Sequence, residues 1–104
     1  MKHYHIWFDV RPGTKDKDLV EAMDAFLGHM KEAGNVAGWH LERRMLGLSS
    51  ADLGEWHIDI QVADLGQLQQ AFDIIEPRSG KEEKLHAGVW SKVTNLKFAL
   101  YRDA

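Results

Sequence analysis

The sequence predicts an α+β domain: a four-stranded antiparallel sheet with two helices packed on one face. Three observations predict it. Apolar residues recur at every second position in four stretches and at helical spacing in two others. The stretches run strand, helix, strand, strand, helix, strand. Every one of them has a single apolar side, so the helices and the sheet have one face each to bury against the other.

The first strand spans residues 3–10, with Tyr4, Ile6, Phe8 and Val10 on one side and His3, His5, Trp7 and Asp9 on the other. Pro12 and Gly13 stop it. Over residues 16–33 the period changes, and Leu19, Val20, Met23, Phe26, Leu27 and Met30 form one helical stripe. Asp16 is the expected cap of this helix and Gly34 its expected end. A second strand is predicted over 36–46, with Trp39, Leu41 and Met45 on its apolar face. Arg43 interrupts that face, which puts it near a sheet edge where its head reaches water.

Residues 47–54 read as a connecting loop. Residues 55–62 read as the third strand, with Trp56, Ile58, Ile60 and Val62 alternating with Glu55, His57, Asp59 and Gln61. Asp64 caps a second helix over 65–76, whose stripe is Leu65, Leu68, Phe72 and Ile75, and Pro77 ends it. Residues 77–82 read as loop and 83–92 as a short helical piece. The last strand, 95–102, turns Leu96, Phe98 and Leu100 inward and Lys97, Ala99 and Tyr101 outward.

This order of elements is that of a ferredoxin-like βαββαβ two-layer sandwich covering residues 1–104 as one domain. The expected sheet order is fourth, first, third, second, with right-handed crossovers. The second sheet face is left without helices. It carries His3, His5, Trp7, Asp9, His40, Glu42, Arg44, His57, Asp59, Gln61 and Tyr101. A face so rich in aromatic and histidine side chains reads as an interface, and a homodimer pairing two such faces is expected. The alternative is a sheet face turned to water.

Bulk composition narrows the function classes. With 104 residues, 44% apolar and 28% charged, the chain suits one soluble globular core. A net charge of −3 argues against a nucleic-acid binder. No apolar run is long enough for a membrane span. There is no cysteine, which excludes disulfides, thiolate metal sites and cysteine nucleophiles. A cytoplasmic location is the default expectation.

Three stretches carry a resemblance: the opening Lys2-His3-Tyr4-His5-Ile6-Trp7-Phe8, the third strand Glu55 to Val62, and Leu85-His86-Ala87-Gly88-Val89-Trp90 before the last strand. With the layout of elements, they resemble the dimeric α/β-barrel superfamily, and within it the stress-responsive A/B-barrel (Dabb-like) proteins. The resemblance implies a dimer whose two sheets make a barrel. Among such proteins are polyketide cyclases, cofactor-independent monooxygenases and haem-degrading enzymes. It also implies that His86 points toward a pocket between helices and sheet. In the cyclases that histidine acts with a tyrosine of the second helix. The matching position here is Phe72, which has no hydroxyl.

His86 is the candidate catalytic residue, since an imidazole beside an apolar pocket titrates near neutral pH and moves a proton either way. The bland reading is a helix histidine bonded to a neighbouring loop. Tyr4, Ile6, Met23, Phe26, Met30, Trp39, Trp56, Ile58, Phe72 and Trp90 are the candidate ligand-binding residues. Aromatic and methionine side chains in that number leave room for a ligand-sized cavity. The alternative is an ordinary full core. His5, His57 and Asp59 cluster on the opposite face, and two imidazoles with a carboxylate can bind a divalent metal. No dense ligand motif accompanies them, so no metal and no cofactor is expected, and a polar dimer interior is the preferred reading.

The leading functional expectation is a dimeric protein holding a small hydrophobic oxygenated ligand, of fatty-acid or polyketide-like kind, with His86 assisting a cyclisation or isomerisation. The second is a non-catalytic dimeric module of stress response or metabolite binding. The third is a haem-dependent or cofactor-free monooxygenase.

Overall fold

The computed structural model describes residues 1–77 and 79–104. Its elements are β1 Lys2–Val10, α1 Asp16–Glu32, β2 Gly38–Arg43, β3 Trp56–Val62, α2 Leu65–Ile75, α3 Gly80–Trp90 and β4 Val93–Arg102. The four strands form one antiparallel sheet in the order β2-β3-β1-β4, the expected order read from its other edge. Ile6 lies opposite Ile58 on one side and Phe98 on the other, while Trp7 lies opposite His57 and Lys97. The even-numbered side chains of β1 therefore face the helices. Phe8, Ile58 and Val62 are buried with Leu19, Met23, Phe26, Leu27 and Met30 of α1.

Four expectations need correction. The first is β2, which ends at Arg43 and not at 46. Beyond it the backbone amide of Arg44 still bonds the Glu55 carbonyl at 2.7 Å, but Met45 leaves the sheet and stands exposed. The second is the cap of α1. Lys15 is the capping residue and makes no side-chain cap bond. Asp16 sits inside the first turn, where its charge suits the helix N-terminus, and its carboxylate bonds Arg43 at 2.8 Å. The third is the segment after Pro77. A full third helix begins at Gly80, three residues earlier than the expected helical piece, so the loop is shorter. Arg78, within the stretch expected as loop, lies outside the described residues. The fourth is β4, which begins at Val93, two residues early, and absorbs the difference in a bulge opposite Trp7 to Asp9, with Asn95 at φ 58°.

Several sequence signals act as expected. Gly34, at φ 81°, closes α1, and the next amide, Asn35, bonds back to the Met30 carbonyl at 2.8 Å. Asp64 accepts from the Gln67 amide at 2.8 Å, and the Gln67 side chain in turn accepts from the Ala63 amide at 2.7 Å. The first bond satisfies an orphan donor of α2's opening turn, and the second ties the residue before the cap back to that turn. Arg43 lies at the sheet edge with its guanidinium 4.8 Å from the Trp56 ring centre, bridging Asp16 and Glu55.

The loop from Arg44 to Glu55 folds back over one end of the helix-free sheet face. Arg44 Nη1 donates to the Leu53 carbonyl at 2.8 Å, and Lys97 of β4 reaches across to Asp52. Leu48 and Leu53 of the loop line a shallow groove with Trp7 and His57. At its return the loop has Gly54 against the Phe8 backbone, where any β-carbon would collide with the main chain. No helix among the described residues is long and apolar enough to cross a membrane.

Candidate functional site

Between the helices and the sheet lies an apolar cavity of about 310 Å³. It sits on the β1–β4 side of the layer. Tyr4 and Ile6 of β1, Ile58 of β3, Met23, Phe26 and Met30 of α1, Phe72 of α2, and His86 and Trp90 of α3 all line it. These are nine of the eleven residues singled out from sequence. Trp39 and Trp56 do not reach it. Trp56 is buried beneath Arg43 and stacks near Phe8, and Trp39 packs by Gly28 of α1. Trp39 stands on the edge strand β2 and Trp56 at the start of β3, beside Arg43. Sequence parity gave their face correctly but could not tell which half of that face is hollow.

The lining also includes Val36, Leu68, Ala71, Ile75, Val89, Leu96 and Phe98. Leu68, Ile75, Leu96 and Phe98 were visible as apolar stripe positions. Ala71 was not, because a small side chain shows as space only when its neighbours are placed. The mouth is marked by exposed apolar rings, Phe72, Trp90 and Phe98.

Two polar groups reach the lining. The His86 ring is tilted against Phe26, with ring centres 5.3 Å apart, and lies 6.3 Å from Trp90. Its Nδ1 is 3.5 Å from Glu83 Oε2, one helical turn back. A carboxylate there favours the hydrogen on Nδ1 and leaves Nε2 as the ring's acceptor. Tyr4 stands edge-on to Phe72 at 5.6 Å and stacked with Phe98 at 6.1 Å. Burial raises the pKa of its phenol, so Tyr4 is a neutral donor near pH 7. On the outer side of the same helix, Glu82 bonds His29 of α1 at 3.1 Å, and that bond holds the Glu82 carboxyl below its usual value.

The helix-free face holds a second constellation. Glu42 Oε1 lies 3.1 Å from His57 Nδ1, and His57 Nε2 lies 2.7 Å from His5 Nδ1. Trp7 stacks on both imidazoles, at 5.0 and 5.7 Å between ring centres, and Tyr101 meets His5 edge-on at 5.1 Å. His3 Nδ1 contacts Asp59 at 3.1 Å, and its Nε2 contacts Asp103 at 2.7 Å. The Asp103 bond, then that to Asp59, raises the His3 pKa, whereas burial lowers that of His5. The expected meeting of His5, His57 and Asp59 is thus split: the two imidazoles bond each other and the carboxylate serves His3. Among the described residues no group of three or more His, Cys, Asp or Glu side chains is arranged to hold a metal.

The sequence model of a family of unknown function, DUF6614, matches residues 1–104. No curated protein matches. Solved structures share the fold at low identity. A protein from Arabidopsis thaliana superposes with a TM-score of 0.76 at 7% identity, covering 100% of this chain and 96% of its own. A dimeric ferredoxin-like protein of unknown function from Jannaschia sp. gives 0.70 at 10% identity, covering 99% of this chain and 100% of its own. A Dabb family protein with a ferredoxin-like fold from Mesorhizobium loti gives 0.61 at 12% identity, covering 99% of this chain and 96% of its own.

Proposed function

The chain belongs to the DUF6614 family, a family of unknown function, and from that premise we propose that it is a homodimeric, Dabb-like small-molecule-binding protein. Its ligand is a small hydrophobic molecule with one oxygenated end. The observation that carries this reading is the cavity of about 310 Å³, walled by apolar side chains and touched by only two polar ones. Ligand pockets of about 300–1,000 Å³ have this make-up of apolar walls and few polar groups. The ligand's chain lies among Met23, Phe26, Met30 and Phe72, and its oxygen meets Tyr4 or His86. Where the ligand is turned over, as in a cyclisation or isomerisation, His86 is the base beside its carbonyl. The likeness to a Dabb family protein and to a dimeric ferredoxin-like protein supports the fold-level part of this reading.

Two probes test it, decanoic acid and 2-decanone, titrated against the tryptophan fluorescence of the full chain. Saturable binding is expected for at least one of them. Ala71→Leu, which puts carbon into the cavity, is expected to weaken it at least about tenfold without lowering the melting temperature. His86→Ala is expected to weaken it about fivefold, the worth of one hydrogen bond. Affinities unchanged in both variants, or no saturable binding of either probe, would overturn the assignment.

A further inference from the structure

We propose that the Glu42–His57–His5 chain is a proton-operated switch of self-association: two copies close on the helix-free face while the histidine pair is neutral, and part when it takes up protons. This rests on the homodimer reading above.

The hydrogen-bond geometry dictates where protons go. An ionised carboxylate only accepts, so the Glu42 contact at 3.1 Å puts a hydrogen on His57 Nδ1. In the neutral ring Nε2 is then the acceptor, and at 2.7 Å it takes a hydrogen from His5 Nδ1. The next proton goes to His5 Nε2, which keeps every bond but makes the outer ring a cation. A further proton has only His57 Nε2 to go to. It would set two N–H groups against each other across 2.7 Å and break the pair.

The surroundings make the cation costly once the face is covered. Both rings lie against Trp7, and His5 also lies against Tyr101. The other titratable and charged groups on this face are His3 and Asp9 of β1, Glu42 and His40 of β2 with Arg44 just beyond it, Asp59 of β3, and Lys97 and Tyr101 of β4, with Asp103 against His3. Asp59, directly opposite His5 in the register, works to raise the His5 pKa but is bonded to His3 at 3.1 Å and is outweighed by burial, and Lys97 is drawn to Asp52. Partial burial already holds His5 below the ordinary histidine value, and a second copy laid on the face extends that burial. Opening therefore takes up one proton per protomer, two per dimer. By linkage the dimer dissociation constant rises by up to about 100-fold per pH unit once the open form is protonated.

Sedimentation velocity of the full chain at about pH 8 and about pH 5.5 reads the switch across the histidine range. The wild type is expected to be dimeric at the higher pH and to weaken at least about tenfold at the lower, with its far-ultraviolet circular dichroism unchanged. His5→Phe/His57→Phe, which keeps two rings and removes both titrations, is expected to stay dimeric at both. Should that variant misfold, His5→Asn alone serves, with the same expectation of a flattened pH response. A wild-type dimer equally strong at both pH values, a variant that keeps the wild-type drop, or a drop accompanied by unfolding overturns the switch and leaves the dimer standing. A wild type that is monomeric at the higher pH overturns the dimer reading and the switch with it.

Discussion

Asp9 illustrates how one side chain joins three strands. Its carboxylate accepts the Glu55 amide at 3.0 Å, just before β3, and the Asn95 side-chain amide at 3.0 Å, in the bulge of β4. Those two bonds, the first being the larger influence, pull its pKa below the usual aspartate value. A lowered carboxylate pKa contributes stability that is present above the unfolded value of about 3.8 and is lost as pH falls through the folded one. Asp9→Ala is expected to lower the unfolding free energy at pH 7 by about 1–3 kcal/mol in urea denaturation, a difference that shrinks in acid. The two histidines on the same strand run in opposite senses. His3, raised, favours the fold below the ordinary histidine value of 6.5 and loses that contribution as pH rises through its folded value. His5, lowered, disfavours the fold as pH drops below 6.5. The partners of Asp9 were not legible in sequence, because they lie 46 and 86 positions away.

At the level of elements, period and capping carried most of the reading. Alternation placed β1 and β3 to within a residue, and the stripe placed α1. Asp64 was legible as a cap because its partner is local, three residues on. Asp64→Ala is expected to cost about 1 kcal/mol and to lower the thermal midpoint in a melt. The misread segments share a cause. The β2 pattern continues through Met45 although the chain has turned toward Glu55, and nothing in the alternation marks that departure. The start of α3 is Gly80 followed by four charged residues, a composition that reads as loop. It is helical because Glu82 has His29 to bond and Val89 has a core to enter, and both of those facts belong to tertiary packing.

Across the whole molecule, the hollow follows from the layer count. Three helices lie over four strands, and α2 buries only Leu68 and Ala71, with Phe72 at the rim, so the β1–β4 half is bridged without being filled. The aromatic and methionine content raised the expectation of a cavity beside that of a full core, and the exclusion of Trp39 and Trp56 was not legible in it. A ligand that fills this space binds only the folded chain. At a free concentration about 100 times its dissociation constant, decanoic acid or 2-decanone is expected to add about 2.7 kcal/mol to stability, seen as a raised melting temperature that Ala71→Leu does not show.

The loop that returns at Gly54 has a consequence for assembly. Backbone lies on backbone there, with Lys97 paired to Asp52 beside it, so the loop's own bulk occupies that end of the sheet. In the homodimer proposed above, that end of the sheet is already covered by the chain's own loop, which leaves the strands toward His3 for the partner.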